Sequence, residues 1–239
     1  MSADTRPGRT FGRVAEAYDR TRPEHSITAV EHAAHELGLT PAAAVLDLAA
    51  GTGKLTRVLR RCFHAVIAVE PDDAMRSYIG GDARAGSAES IPLADGSVDA
   101  VYVAEAFHWF DAQAALAEIE RVLRAGGGLV VIDRTWGDEA DALLPPELTA
   151  DIDAIWARFH APGVVFPSWL DTVEPGGHAR FDERVRISGR DLVDLCLTAS
   201  TPASIPDDER RAVAEHAYPL MEAEYTLSVP TDVYWKRVR

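Results

Sequence analysis

The apolar positions of the chain change their period several times, and each change predicts an element. Short continuous apolar runs occupy Val45–Leu48 (interrupted by Asp47), Ala65–Val69, Val98–Val103 and Leu129–Ile132. Runs of this length, bounded by glycine, proline or aspartate, predict strands buried on both faces. Between them the apolar residues fall at helical spacing, with Leu55, Val58 and Leu59 after the first run and Leu116, Ile119, Val122 and Leu123, in a helix that Asp111 is expected to cap, before the last. Strand and helix in alternation predict a parallel sheet joined by right-handed crossovers. A short third strand is expected over Arg84–Gly86. Turns are expected at Gly80-Gly81-Asp82 and Ala94–Ser97, and the triplet Gly126-Gly127-Gly128 is expected to end the helix before it.

The flanking regions read differently. Val14, Ala15 and Tyr18 share one helical face in the segment ended by Pro23. Ser26 is expected to cap a helix through Ile27, Val30, Ala34 and Leu37, closed by Gly38. After Ile132 the alternation stops. No strand-like run appears between Thr135 and Arg180, and Leu148, Ile152, Ile155, Trp156 and Phe159 are spaced as in a helix. Three of the five tryptophans, Trp136, Trp156 and Trp169, fall in this stretch. Their concentration predicts an apolar lid or substrate wall more than a linker. A strand over 180–187, helices over 191–197 and 207–218, and two final strand-like runs over 225–229 and 233–238 complete the pattern.

Composition narrows what such a sheet does. The chain has 239 residues, 47% hydrophobic and 26% charged, which suits one α/β domain over 1–239 with a helical flap at 11–38 and an inserted lid at 135–180. Its net charge of −14 argues against nucleic-acid phosphates as a partner. No apolar run approaches membrane-spanning length, and Met1–Thr10 is polar and unlike a signal peptide, so a cytoplasmic protein without a membrane partner is expected. Cys62 and Cys196 stand far apart without metal-type spacing, and His25, His32 and His35 are expected on a solvated helix face. No metal site is expected. Monomer and dimer remain open.

The chemistry concentrates at the first strand end, Val45-Leu46-Asp47-Leu48-Ala49-Ala50-Gly51-Thr52-Gly53. A strand, a glycine turn and a helix start make a place where backbone approaches a ligand closely. A Walker A loop requires glycine five residues before Gly53, where Leu48 stands. A dinucleotide fingerprint requires a third glycine, where Thr56 stands. Glu70-Pro71 ends the second strand beside this turn, and a carboxylate there can accept hydrogen bonds from both hydroxyls of a ribose.

These residues resemble the glycine-rich loop of class I S-adenosylmethionine (SAM) methyltransferases, in the small-molecule, type 11-like branch. The resemblance extends through Ser87-Ala88-Glu89-Ser90-Ile91-Pro92 and Ala104-Glu105-Ala106-Phe107-His108-Trp109-Phe110-Asp111. It implies a Rossmann-like seven-stranded sheet of order 3-2-1-4-5-7-6, the last strand antiparallel, with helices on both faces. It implies SAM as cofactor and a small-molecule methyl acceptor as partner. Asp47, Ala49, Gly51 and Gly53 would floor the methionine and ribose, and Met75 would present an apolar side chain to adenine. The Ala88 backbone, with Ser87 or Glu89, would read the adenine edge. Ala104 and Glu105 would meet the methionine amino group, and Tyr18 would close over that end. Many relatives carry aspartate where Ser87 stands.

His108 follows the fourth strand end, on the side of the glycine turn, and its ordinary pKa suits proton removal from an acceptor. Fixing the loop by hydrogen bonds is the competing role. Trp109, with the three downstream tryptophans, is a candidate for the acceptor's wall. Methyl transfer to an O, N or C nucleophile is the expected reaction. A SAM-binding enzyme that cyclises or rearranges its substrate, or a regulatory SAM-binding module, is the alternative.

Overall fold

A computed structural model describes residues 11–135, 140, 142–150, 154, 170, 172–199 and 205–238. Strands β1 (Ala44–Leu48), β2 (Ala65–Val69), β3 (Ala83–Arg84), β4 (Val98–Ala104), β5 (Leu123–Arg134), β6 (Gly177–Ser188) and β7 (Glu224–Arg237) form one sheet of order β3-β2-β1-β4-β5-β7-β6. β1 pairs in parallel with β2 and β4, β2 with β3, and β4 with β5, whereas β7 runs antiparallel to β5. The order reverses between β1 and β4. Both strands end there in the same direction, which is where an open α/β sheet has its ligand crevice.

The chain divides into two compact units: residues 24–134, 166–182 and 230–239 in one, and 1–23, 135–165 and 183–229 in the other. In the first, helices α2 (Ile27–Glu36) and α3 (Lys54–Cys62) cover one face of the sheet. Their Ala29, Val30, Ala33, Leu55, Val58 and Leu59 pack on Val45, Tyr102, Val130 and Ile132. On the opposite face, Ala115, Ile119 and Val122 of α5 (Ala112–Val122) pack on Leu46, Leu48, Val101, Val103 and Val131. Alternate residues of each strand thus feed two cores, so the strands read as unbroken apolar runs.

The second unit holds α1 (Ala15–Thr21), α6 (Gly189–Cys196) and α7 (Asp207–Ala217). Its core joins Leu192, Val193 and Leu195 of α6 to Ala214 and Ala217 of α7 and to Leu227 and Val229. β6 and β7 pass through both units.

Several caps stand where the sequence predicts them. Ser26 accepts from the Ala29 N–H at 3.2 Å, and Asp111 accepts from Ala114 at 3.1 Å. The glycine triplet departs from expectation. α5 ends at Val122 and Gly126–Gly128 already lie in β5. Side chains explain it: a Cβ on Gly128 would lie 2.6 Å from Leu37 Cδ1, so glycine here lets α2 close on the strand. The third strand is one position earlier and shorter than expected. The two final strand-like runs are one strand, because Pro230 needs no ladder bond to continue in β conformation. The expected solvated histidine face holds for His35, which is exposed, and is corrected at the other two. His25 is buried, and His32 packs edge-on against Phe181 and Trp235, at centroid distances of 5.5 and 5.1 Å.

Candidate functional site

The site is built at the carboxyl ends of β1, β2 and β4. The backbone leaves β1 through Ala49, whose φ of 58° is left-handed for a residue with a Cβ, then turns through Gly51 (57°) and Gly53 (82°) into α3. A Cβ on Gly53 would sit 3.3 Å from the Ile79 backbone, and its φ already excludes most side chains, so both space and conformation select glycine.

Glu70 ties this turn to β2. Its Oε2 accepts from the Gly51 N–H at 2.8 Å and its Oε1 from the Asp72 N–H at 2.9 Å. The carboxylate is 6% exposed. Burial raises its pKa, against the two backbone donors that hold the charged form. Each oxygen still has a further acceptor direction. Pro71 follows, and Asp72 then caps α4 (Asp73–Arg76) by accepting from Met75 N–H at 3.0 Å. Met75 is buried with its Cε 3.6 Å from where a Gly51 Cβ would lie, so it borders the turn.

Under the turn, Asp47 is 1% exposed and accepts from Thr56 Oγ1 at 2.5 Å. Burial pushes its carboxyl up to about 7, aided by the neighbouring Glu70 charge and opposed by the Thr56 bond. Thr52, at the tip between the glycines, is fully buried, and among the described residues its hydroxyl has no hydrogen-bond partner. An orphaned buried hydroxyl within a glycine turn fits a polar ligand there.

The loop from Ser87 to Leu93 is held by α5. Glu118 accepts from the Ile91 N–H at 2.8 Å, and Arg121 donates to Ile91 O at 2.9 Å and Leu93 O at 2.8 Å. The Arg121 guanidinium holds the Glu118 carboxyl down at about 2. Ser90 donates its N–H to Ser87 O at 3.1 Å, closing a small turn around the buried Ala88. The Glu89 carboxylate turns the other way, accepting from the Asp111 N–H at 3.1 Å.

At the end of β4, Ala104 is half-buried and Glu105 has a φ of 50°. The Glu105 carboxylate meets the Arg134 guanidinium at the end of β5. Arg134 Nε donates to Oε2 at 2.9 Å and Nη2 reaches the same oxygen. The Arg134 side chain is 1% exposed. Sequence reasoning did not place this arginine in the site. Its signal was a charged pair, Asp133-Arg134, at the end of an apolar strand. His108 lies in the following 3-10 turn, Phe107–Trp109, its ring centroid 4.6 Å from that of Trp109. Burial lowers its pKa, partly offset by Glu105, so the imidazole is neutral at pH 7.

Asp47, Ala49, Gly51, Gly53, Glu70, Pro71, Met75, Ser87, Ala88, Glu89, Ala104, Glu105, His108 and Trp109 therefore all belong to one unit. Tyr18 belongs to the other, where its ring meets Phe11 edge-on at 6.0 Å and carries the Arg22 guanidinium at 4.3 Å. Trp136, Trp156 and Trp169 lie outside the described residues.

Known proteins show the same plan. A family model described as a methyltransferase domain matches residues 46–131. An uncharacterized methyltransferase of Mycobacterium tuberculosis is 45% identical over 133 residues, 53% of this chain and 52% of that protein. An uncharacterized methyltransferase-like protein of Schizosaccharomyces pombe is 34% identical over 167 residues, 67% of this chain and 63% of its own. A malonyl-[acyl-carrier protein] O-methyltransferase of Methylococcus capsulatus is 34% identical over 139 residues, 51% of this chain and 49% of its own. The chain spans about half the length of the first of these relatives. Among solved structures, a provisionally named type II methyltransferase from Anaeromyxobacter dehalogenans superposes with a TM-score of 0.55 at 20% identity, over 90% of this chain and 97% of its own. At that identity the likeness is one of fold. The sheet order, the glycine turn and the matched segment agree: residues 46–131 match a methyltransferase domain, on a sheet whose fold is shared with solved methyltransferases.

Proposed function

We propose that this chain transfers the methyl group of SAM to an oxygen, nitrogen or carbon nucleophile of a small molecule. The observation that carries the reading is the Glu70 carboxylate, fixed by Gly51 and Asp72 at the end of β2, against the turn that follows β1. Held by one backbone N–H on each oxygen, it keeps the acceptor directions that two adjacent ribose hydroxyls require. Asp47, Ala49, Gly51 and Gly53 then form the floor, Pro71 and Met75 border the nucleoside, and Ser87 and Ala88 supply the adenine edge. Ala104 and Glu105 face the methionine end. The buried Thr52 hydroxyl fits a polar ligand in the same place.

SAM supplies an electrophilic methyl on sulfonium, so the protein's task is chiefly to align the acceptor and exclude water. Where the acceptor must lose a proton, a ring nitrogen of His108 takes it, and the neutral imidazole suits that role. The −14 charge favours a small molecule over nucleic acid as acceptor, and among the described residues no helix is long and apolar enough to cross a membrane. A cytoplasmic site of action belongs to the same proposal and rests on the free thiols of Cys62 and Cys196.

The test is turnover with methyl-labelled SAM and a panel of small hydroxy, amino and carboxylic acid acceptors. Labelled product with one equivalent of S-adenosylhomocysteine is expected. Turnover of an acceptor without S-adenosylhomocysteine would favour a non-methylating SAM enzyme. His108→Ala is expected to lower kcat about 100-fold for an acceptor that must be deprotonated. In the wild type kcat/KM falls only on the acid side of neutrality, because burial holds the imidazole below its ordinary pKa. An unchanged rate and pH profile would remove His108 from the chemistry.

A further inference from the structure

The second unit contains a cavity of about 320 Å³ that no part of the SAM site uses. Its walls come from α1, α6 and α7 and the turn after α7. Val14, Ala17, Leu197 and Ala214 supply apolar lining, and Tyr218, Arg190, Arg210 and Arg211 supply polar lining. In a chain of net charge −14, three guanidiniums around one cavity need an explanation.

The acids on the same wall are already engaged, with one exception. Asp194 accepts from Tyr218 Oη at 2.6 Å and from Arg20 Nη2 at 2.5 Å, and Arg20 also pairs with Asp191. Asp207 accepts from Arg210 at 2.6 Å. Arg190 lies over the Tyr218 ring at 4.0 Å, which orients its guanidinium without neutralising it. Among the described residues neither Arg190 nor Arg211 has a carboxylate within ion-pair distance. Glu215, one turn after Arg211 on α7, is exposed and also makes no ion pair there. The lining therefore includes two cations without a carboxylate partner among the described residues, and the Arg20–Asp194–Tyr218–Arg190 chain fixes the surroundings of Arg190.

We propose that this cavity binds a small organic carboxylate, its apolar portion against Val14, Ala17, Leu197 and Ala214 and its charge between Arg190 and Arg211. Guanidinium geometry suits a carboxylate better than a point anion, and the apolar wall excludes a ligand that is all charge. The exposure of both arginines makes the affinity weak.

Isothermal calorimetry and chemical-shift titration with hexanoate, hexylamine and inorganic phosphate test it. Hexanoate is expected to saturate in the millimolar range, with neither hexylamine nor phosphate doing so at the same concentration. Arg190→Met/Arg211→Met is expected to weaken hexanoate at least tenfold while leaving the melting temperature and SAM affinity unchanged. Arg211→Lys alone should retain most of the binding. Equal binding of hexylamine, phosphate binding as tight as hexanoate, an unaffected double variant, or no hexanoate saturation would each overturn the proposal. Loss of SAM binding in the wild type would instead strike the methyl-transfer reading and leave the hexanoate result standing.

Discussion

Two carboxylates at two strand ends, Glu70 after β2 and Glu105 after β4, sit in comparable positions and are held in opposite ways. Glu70 is held by neutral donors, the N–H groups of Gly51 and Asp72. Each of its oxygens remains able to accept from hydroxyls. Glu105 is held by the Arg134 guanidinium, itself almost fully buried, and its charge is answered inside the protein. The difference is physical. Backbone donors shape a turn without cancelling a charge, whereas a buried guanidinium cancels it and locks the strand ends together. In the proposed site the Glu70 end would thus be polar and receptive to a nucleoside. The Glu105 end, where the proposal sets the methionine, is an ion pair close to His108, whose pKa burial lowers.

The comparison is most easily broken at Arg134. Arg134→Met takes a buried guanidinium from the half-buried Glu105 carboxylate and is expected to cost about 3–5 kcal/mol of unfolding free energy in denaturant titrations. Arg134→Met with Glu105→Gln should recover much of that loss. A single variant as stable as the wild type would mean that Glu105 does not depend on the pair.

Asp47 tests how much charge the glycine turn tolerates. Its folded pKa of about 7 lies above the ordinary 3.8, so the folded state binds the proton more tightly than the unfolded chain. Stability from this group is therefore present below about pH 4 and is lost as pH rises towards 7. Asp47→Asn removes that slope. The variant should gain on the wild type by roughly 4 kcal/mol between pH 4 and 8, read from denaturation at each pH. Parallel stability curves would show that Asp47 is ionised in the fold.

At Glu70 the expected effect is on ligand. Glu70→Ala is expected to weaken SAM at least tenfold by calorimetry, about 1.4 kcal/mol, through lost ribose acceptors and a loosened Gly51. Glu70→Gln keeps one acceptor oxygen and should fall between. Unchanged affinity in both would count against the cofactor assignment.

The smallest effect is expected at Ala49. Its left-handed backbone costs about 1–2 kcal/mol, and a glycine there would return that strain but lose roughly 0.5–1 kcal/mol to unfolded-chain entropy. Ala49→Gly should therefore change stability by no more than about 1 kcal/mol in thermal melts. A larger gain would identify the strand end as a reservoir of strain.

The parallel strands, their helices and the glycine turn were legible in the sequence because each depends on local period and local backbone demand. Val45–Leu48 and Leu55–Leu59 announce their elements within a dozen residues, and so do Ser26 and Asp111 as caps. Glu70 was legible too, because a fixed crossover puts the end of β2 beside the turn after β1. Gly126–Gly128 was misread as a helix stop, since its purpose is the approach of Leu37, 91 positions away in sequence from Gly128, and no window holds both.

What the sequence determined by itself is thus the alternation, the strand ends and the residue types placed there. Only the tertiary structure decided which of those residues answer one another. It joined Arg134 to Glu105 and Glu89 to the Asp111 N–H, buried His25 and set three arginines around one cavity. The reason is that periodicity records what a residue does along its own element, while a charge's partner depends on distances that only the packed chain creates.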